Sequence, residues 1–264
     1  MKISVIVPVK DQYVSLLKVL YGYRNQSNRA FEIIVVDDGS SDMTRELTSS
    51  MISNITNAKA RIIHQANAGR AVARNVGVLN SIGDMIIFND GDRVPHLNFV
   101  ENYQDIMRDR KIVIGYGYDY FGLDLSKFDD VNWNYIEKYS RLPRYYREVV
   151  GICNSEGYNI FKYPWMSFMV GNSCVAREVF DKVGLFDERF VEWGGEHFEI
   201  GYRMSKAGYS FCVSDKIKNY HIPHSRSKNF YKNSIISSFE IIKEIHNDIN
   251  IKDCMKYLGI ENND

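Results

Sequence analysis

Two aspartates one residue apart, Asp90 and Asp92, follow the apolar run 84–88 (DMIIF), with Gly91 between them. In extended backbone, residues i and i+2 point the same way. Both carboxylates would then face one crevice, where two adjacent anions need a cation between them or a proton on one. Oxygen donors of this kind suit Mg²⁺ or Mn²⁺, ions that also bind diphosphate oxygens. The same three residues also read as a polar turn with glycine in a left-handed position. A second pair, His221 and His224, flanks Ile222-Pro223. Pro223 argues against a helix. Two imidazoles in an extended or looped stretch can complete a metal shell begun by the aspartates, with a modest preference for Mn²⁺ over Mg²⁺. They also read as ordinary hydrogen-bonded histidines.

The third constellation is Glu192-Trp193-Gly194-Gly195-Glu196-His197-Phe198-Glu199. The glycine pair permits a sharp turn and close approach of a ligand. Glu196 opens a helix, where a carboxylate is favoured electrostatically, and Trp193 offers a flat apolar face to a sugar ring. A carboxylate beside a substrate hydroxyl can act as general base, an effect of roughly 10²- to 10⁴-fold. The fourth is Asn67-Ala68-Gly69-Arg70-Ala71-Val72-Ala73-Arg74-Asn75. There Arg70 and Arg74, at a glycine-led helix start, can meet a diphosphate or nearby acids, or lie exposed on the helix surface.

These residues need elements to hold them. Residues 3–7 form a short β-rich run ended by Pro8, 13–23 carry apolar residues at helical spacing, and 31–36 (FEIIVV) form a second apolar run. Residues 42–51 read as a helix capped by Ser40 or Ser41, 61–64 as a third strand, 69–79 as a helix and 84–88 as a fourth strand. Strand and helix in alternation imply parallel pairing with right-handed crossovers. Apolar strands without alternation fit a sheet covered on both faces. Ligands in such sheets bind beyond the carboxyl ends of the strands, which is where the first pair of aspartates falls. Further on, 116–167 read as strands and loops over the sheet, 169–175 as a strand, 178–183 as a helix ended by Gly184, 196–206 as a helix closed by Gly208, and 211–214 as a strand. From Phe230 the chain reads as helical. Its stripe of Ile235, Ile236, Phe239, Ile242 and Ile245 is read as a packing face.

The bulk properties exclude several classes. With 264 residues, 45% of them hydrophobic, the chain can bury a sizeable core. Thirty-three basic and 33 acidic side chains cancel, so no excess of positive charge points to nucleic acid. The four cysteines are too scattered for a zinc knuckle or a disulfide framework. No apolar run approaches the ~20 residues that span a bilayer, and the amino terminus lacks a signal-peptide pattern. A cytoplasmic location is expected, with peripheral contact at the inner face of the membrane left open.

Taken in order, Val5-Ile6-Val7-Pro8-Val9, Val35-Val36-Asp37-Asp38-Gly39-Ser40-Ser41-Asp42, Asn67-x-Gly69 with Ala73-Arg74-Asn75-x-Gly77, and Asp90-x-Asp92 resemble the motifs of family 2 glycosyltransferases. The resemblance implies an α/β GT-A fold: a Rossmann-like, mostly parallel central sheet flanked by helices, with a carboxyl-terminal helical tail. Residues 1–230 would form the glycosyltransferase domain, 1–95 its nucleotide-binding half, 96–230 its acceptor half, and 231–264 a helical extension. It further implies that Pro8, Lys10 and Asp38 line the base pocket of a UDP-sugar donor, and that Asp92 binds the metal with Asp90 near ribose or metal.

The second half resembles the carboxyl part of β-1,4-galactosyltransferases, polypeptide N-acetylgalactosaminyltransferases and chondroitin-polymerase-type enzymes. The matching residues are Val170-Gly171-Asn172-Ser173, Gly184-Leu185-Phe186-Asp187-Glu188-Arg189-Phe190, Trp193-Gly194-Gly195-Glu196 and His221-x-x-His224-Ser225-Arg226. The metal-binding histidine of the galactosyltransferases falls on His224, and a further ligand on His221. Where inverting relatives carry Asp after Gly-Gly-Glu, this chain has His197, so Glu196 and His197 are both candidate bases, with Glu196 preferred. The expected activity is Mn²⁺- (or Mg²⁺-) dependent transfer of a sugar, galactose or N-acetylgalactosamine favoured, from UDP to a hydroxyl of a carbohydrate or glycoconjugate acceptor, with inversion. A retaining enzyme of the same fold and a glycan-binding protein with a decayed site are the alternatives. A sugar nucleotidylyltransferase fits less well, because Pro8-Val9-Lys10-Asp11 lacks that class's glycine-rich loop.

Overall fold

The computed structural model describes residues 1–129, 132–192, 194–224 and 230–259. The chain opens with β1 (Ile3–Val9), α1 (Tyr13–Arg24), β2 (Glu32–Asp38), α2 (Ser49–Thr56), β3 (Lys59–Gln65), α3 (Arg70–Leu79) and β4 (Met85–Asn89). It continues through β5 (Arg93–Pro95), α4 (Phe99–Ile106), β6 (Ile112–Tyr120), α5 (Trp133–Lys138), β7 (Ser140–Arg141), β8 (Asn172–Ala176), α6 (Arg177–Val183), α7 (Glu196–Lys206), β9 (Cys212–His221), α8 (Phe230–Ile245) and α9 (Ile251–Tyr257). Among the described residues these strands make one sheet, in the order β3-β2-β1-β4-β8-β6-β9-β5, with β7 on the flank of β6.

The first four strands are parallel, as the alternation of strand and helix requires. Every residue of β1, β2 and β4 is buried. In β1, Val5 and Val7 point into one core with Leu16, Leu20 and Phe99, while Ile6 points into the other with Phe88, Phe180 and Phe239. Burying each such side chain contributes about 1.5–3 kcal/mol, and both faces of the sheet take part. The second half is mixed: β8 is antiparallel to β4 and β6, and β6 is parallel to β9.

Three elements depart from the sequence reading. β1 runs through Pro8 to Val9. Its pairing with β4 stops at Ile6, while that with β2 continues to Val9, so the proline falls where one neighbour has already ended, an edge-like position that tolerates a missing N–H. Residues 42–51 are not one helix. Asp42 caps a 3₁₀ turn at Met43–Glu46, Leu47 is extended and buried, and Thr48 caps α2. Ser40, offered as a cap, instead accepts from the Asp11 N–H at 2.9 Å. Finally, β9 extends to His221, far beyond the apolar 211–214. Its polar residues are recruited by pairing with β6 and β5 on either side, a long-range cause with no local signature.

The stripe on α8 is a packing face. Phe239 and Ile242 are buried in the second core, with Ile235, Ile236 and Ile245 packed against it. No helix among the described residues is long and apolar enough to cross a membrane. Cys153, Cys174, Cys212 and Cys254 are all free thiols.

Candidate active site

The end of β4 delivers Asp90, and the chain then turns at Gly91 and Asp92. A side chain at Gly91 would press to 3.1 Å from Val9 Cγ2 and 3.2 Å from the Pro8 carbonyl, so glycine lets this turn lie against the end of β1. Because the backbone turns rather than running extended, the two carboxylates part company. Asp90 meets Arg74 Nη2 at 3.0 Å and lies 3.9 Å from Arg93 Nε. Asp92 accepts from Gln12 Nε2 at 2.7 Å and faces the histidines.

Asp92, His221 and His224 converge, each offering one donor atom within 4.8 Å of the others. Asp92 Oδ2 lies 3.7 Å from His221 Nε2 and 3.4 Å from His224 Nε2. The backbone fixes the approach: β5 pairs with β9 so that Arg93 stands opposite His221, and the Ile222 N–H donates to the Asp92 carbonyl at 2.8 Å. One carboxylate oxygen and two imidazole nitrogens form a donor set suited to a divalent first-row ion such as Mn²⁺.

Arg74 is the hub behind this cluster. The possibility that it lies exposed on its helix does not hold: it is 1% exposed, with Nη1 at 2.6 Å from Glu196 Oε1 and Nη2 on Asp90. Burial pushes the Glu196 carboxyl up, but His197, Arg74 and Arg70 outweigh it and hold the acid well below the usual carboxylate range. Asp90 behaves alike: burial raises it, while Arg74, Arg70 and Arg93 bring it below its ordinary value. Glu196 Oε2 carries no hydrogen bond, and neither does buried His197 Nδ1, which lies 3.7 Å from Glu196 Oε1. His197 Nε2 is then the nitrogen available to a ligand.

Gly194 and Gly195, both at positive φ (83° and 90°), aim the start of α7 at the site. A Cβ on Gly195 would overlap Ser238 of α8, whose hydroxyl donates to the Gly194 carbonyl at 2.7 Å. Trp193 lies outside the described residues, as do Ser225 and Arg226.

Two cavities meet at this cluster. One, about 320 Å³, is lined by Pro8, Lys10, Asp11, Gln12, Asp38 and Ala73. The other, about 370 Å³, is lined by Glu196, His197, Tyr145, Tyr146, Ile235 and Leu258 among others. Arg70, Asp90, Asp92 and His224 border both. Asp38 borders the first, yet both its oxygens are engaged: Oδ1 accepts from Gln65 Nε2 and the Ala68 N–H, and Oδ2 from the Gly69 N–H at 2.9 Å. It shapes the loop before α3 as well as the cavity wall.

Sequence reasoning passed over Gln12, Arg93, Asp119 and Tyr146. Arg93 adjoins Asp92 in sequence, a signal within reach. Gln12, Asp119 and Tyr146 come to the cavities only through folding.

A family model described as glycosyl transferase family 2 matches residues 4–184, and one described as the N-terminal domain of galactosyltransferase matches residues 153–225. The glycosyltransferase YfnE of Bacillus subtilis (strain 168) is 28% identical over 258 residues, covering 85% of this chain and 65% of the relative. A validoxylamine A glucosyltransferase of Streptomyces hygroscopicus subsp. jinggangensis is 26% identical over 249 residues, covering 85% and 56%. The hyaluronan synthase of Pasteurella multocida is 28% identical over 241 residues, covering 83% and 24%. The chain therefore spans between about a quarter and two thirds of the length of these relatives. Among solved structures, S. aureus TarS 1-349 in complex with UDP-GlcNAc superposes with a TM-score of 0.66 at 14% identity, covering 97% of this chain and 69% of that one. GalNAc-T7 with UDP, GalNAc and Mn²⁺ superposes at 0.65 and 17%, covering 96% and 49%.

Proposed function

The chain belongs to glycosyl transferase family 2 and has the GT-A fold, and on that premise we propose that it moves a hexose or N-acetylhexosamine from a UDP-sugar to a hydroxyl of a carbohydrate or glycoconjugate acceptor. Galactose and N-acetylgalactosamine are the first candidates, transfer proceeds with inversion, and the product belongs to glycan or polysaccharide biosynthesis. The observation that carries this reading is the convergence of Asp92, His221 and His224 at the border of two cavities. The complexes of TarS with UDP-GlcNAc and of GalNAc-T7 with UDP, GalNAc and Mn²⁺ support the choice of nucleotide and ion.

In this reading the crevice of Pro8, Lys10 and Asp38 takes the uracil and ribose, with Asp90 toward the ribose. Arg70, on the border of both cavities, faces the diphosphate. Asp92, His224 and His221 hold the divalent ion, Mn²⁺ before Mg²⁺ because two donors are imidazoles. Such an ion, when bound, supplies positive charge against the diphosphate that leaves. Arg74 keeps Asp90 and Glu196 ionised and fixed. The larger cavity takes the sugar and the acceptor, with Gly194 and Gly195 at the start of α7 forming part of its wall.

The acceptor oxygen bonds to the anomeric carbon as the bond from that carbon to the diphosphate oxygen breaks, and the hydroxyl proton passes to the protein. Glu196, held far below its ordinary proton affinity, is a poor acceptor of that proton. His197 receives it at Nε2, with the Glu196 carboxylate, 3.7 Å from Nδ1, as a nearby negative charge for the imidazolium. Residues 1–95 act as the nucleotide half, 96–230 as the acceptor half, and 231–264 as a helical extension that walls the acceptor cavity through Ile235 and Leu258. In this reading the reaction runs in the cytoplasm, with peripheral contact at the inner face of the membrane left open.

Thermal stabilisation by UDP with and without Mn²⁺, together with slow donor hydrolysis across a panel of UDP-sugars, tests this reading. Mn²⁺-dependent stabilisation and hydrolysis of one sugar identify the donor. No response to UDP under either condition overturns the nucleotide assignment.

A further inference from the structure

We propose that Asp119 is a positioning residue for the metal site: it fixes the ring of His221 so that Nε2 is presented to Asp92. The inference rests on the metal reading above. Asp119 on β6 and His221 on β9 are direct partners in the parallel ladder, and Asp119 Oδ1 lies 3.1 Å from His221 Nδ1. A carboxylate only accepts, so in the neutral ring, the form that ligates a metal, the hydrogen bond places the proton on Nδ1 and leaves a lone pair on Nε2. That lone pair confronts Asp92 Oδ2 across 3.7 Å. Asp92 Oδ2 already accepts from Gln12 and also faces His224 Nε2.

Two acceptors facing each other across such a gap repel. The arrangement becomes favourable with a cation between them, which Asp119 both orients for and strengthens by making the imidazole a better donor. Asp119 borders the larger cavity beside Arg93 without belonging to the converging trio. It therefore acts through His221.

The test is Mn²⁺ binding without nucleotide, read from loss of the electron paramagnetic resonance signal of free Mn²⁺, for wild type, D119A, D119N and H221A. D119A is expected to weaken Mn²⁺ binding ~10- to 100-fold. D119N is expected to weaken it less, since its amide oxygen still accepts from Nδ1–H. It is nearly isosteric and serves where D119A does not fold. UDP affinity measured without metal should not change in either variant. Binding within twofold of wild type in both Asp119 variants, with H221A defective, overturns the inference and leaves the metal reading standing. Wild-type binding in H221A overturns the metal reading and this inference with it.

Discussion

Arg74 and Glu196, 122 residues apart in sequence, meet at 2.6 Å with each side chain at most 2% exposed. The same guanidinium holds Asp90. Removing it leaves the Glu196 carboxylate buried without its ion-pair partner, and breaking a buried pair of this kind costs about 3–5 kcal/mol. R74A should lower the melting temperature by roughly 10 °C. R74K restores charge but not the fork geometry and should recover only part of the loss. A drop below about 2 °C in R74A would show that the bridge does not support the fold.

Acid should reveal the same bridge. Glu196 has a folded-state pKa depressed below its unfolded value of about 4.3. Its stabilisation is therefore complete above that value and is lost as pH falls toward the folded pKa. E196Q should flatten the stability curve below pH ~4.5, by a slope approaching ~1.4 kcal/mol per pH unit. Asp90, shifted in the same direction, keeps some slope in the variant. Denaturant midpoints measured from pH ~5 to ~2.5 check this, and parallel curves for the two proteins would contradict it.

D92N should cost at least about 100-fold in sugar transfer and abolish the Mn²⁺-dependent part of UDP stabilisation, while the melting temperature of the free protein changes little. Turnover close to wild type would remove Asp92 from the ion site.

H197A and E196Q separate the two candidate bases. H197A should lower kcat by roughly 10²- to 10⁴-fold and leave donor KM nearly unchanged. E196Q should fall less in kcat. The reverse ranking would return the proton to Glu196.

Gly195 combines a φ of +90° with a space that Ser238 closes. The backbone strain alone costs about 1–3 kcal/mol for a residue with a side chain. G195A should melt lower and lose activity. G195A/S238G should recover the steric share but not the backbone share, so full recovery in the double variant would mean that φ carries no cost here.

The legible parts of the fold were those with local causes. Buried β-branched runs marked β1, β2 and β4, Gly184 and Gly208 marked helix ends, and glycine-led starts marked α3 and α7 within a residue. The part of β9 beyond 214 stayed hidden because its polar residues become strand only by pairing with β6 and β5. The histidines were visible as a pair and the aspartates as another. What could not be read was that the turn at Gly91 would divide Asp90 from Asp92, giving one to Arg74 and the other to the histidines. Asp119 lies in an alternating run, IGYGYDY, that looks like ordinary strand, and only the ladder register places it on His221.

The hydrogen bond from Ile222 N–H to the Asp92 carbonyl also bears on how the molecule assembles. It joins residues 130 positions apart in numbering, and such pairings form late because loop closure must precede the contacts that stabilise it. The parallel β1–β4 layer can gather from nearer neighbours, but the trio of donors exists only after β9 has docked between β6 and β5. Under the proposed metal reading, a nascent chain that has not yet presented β9 holds the crevice of Pro8, Lys10 and Asp38 without its ion site.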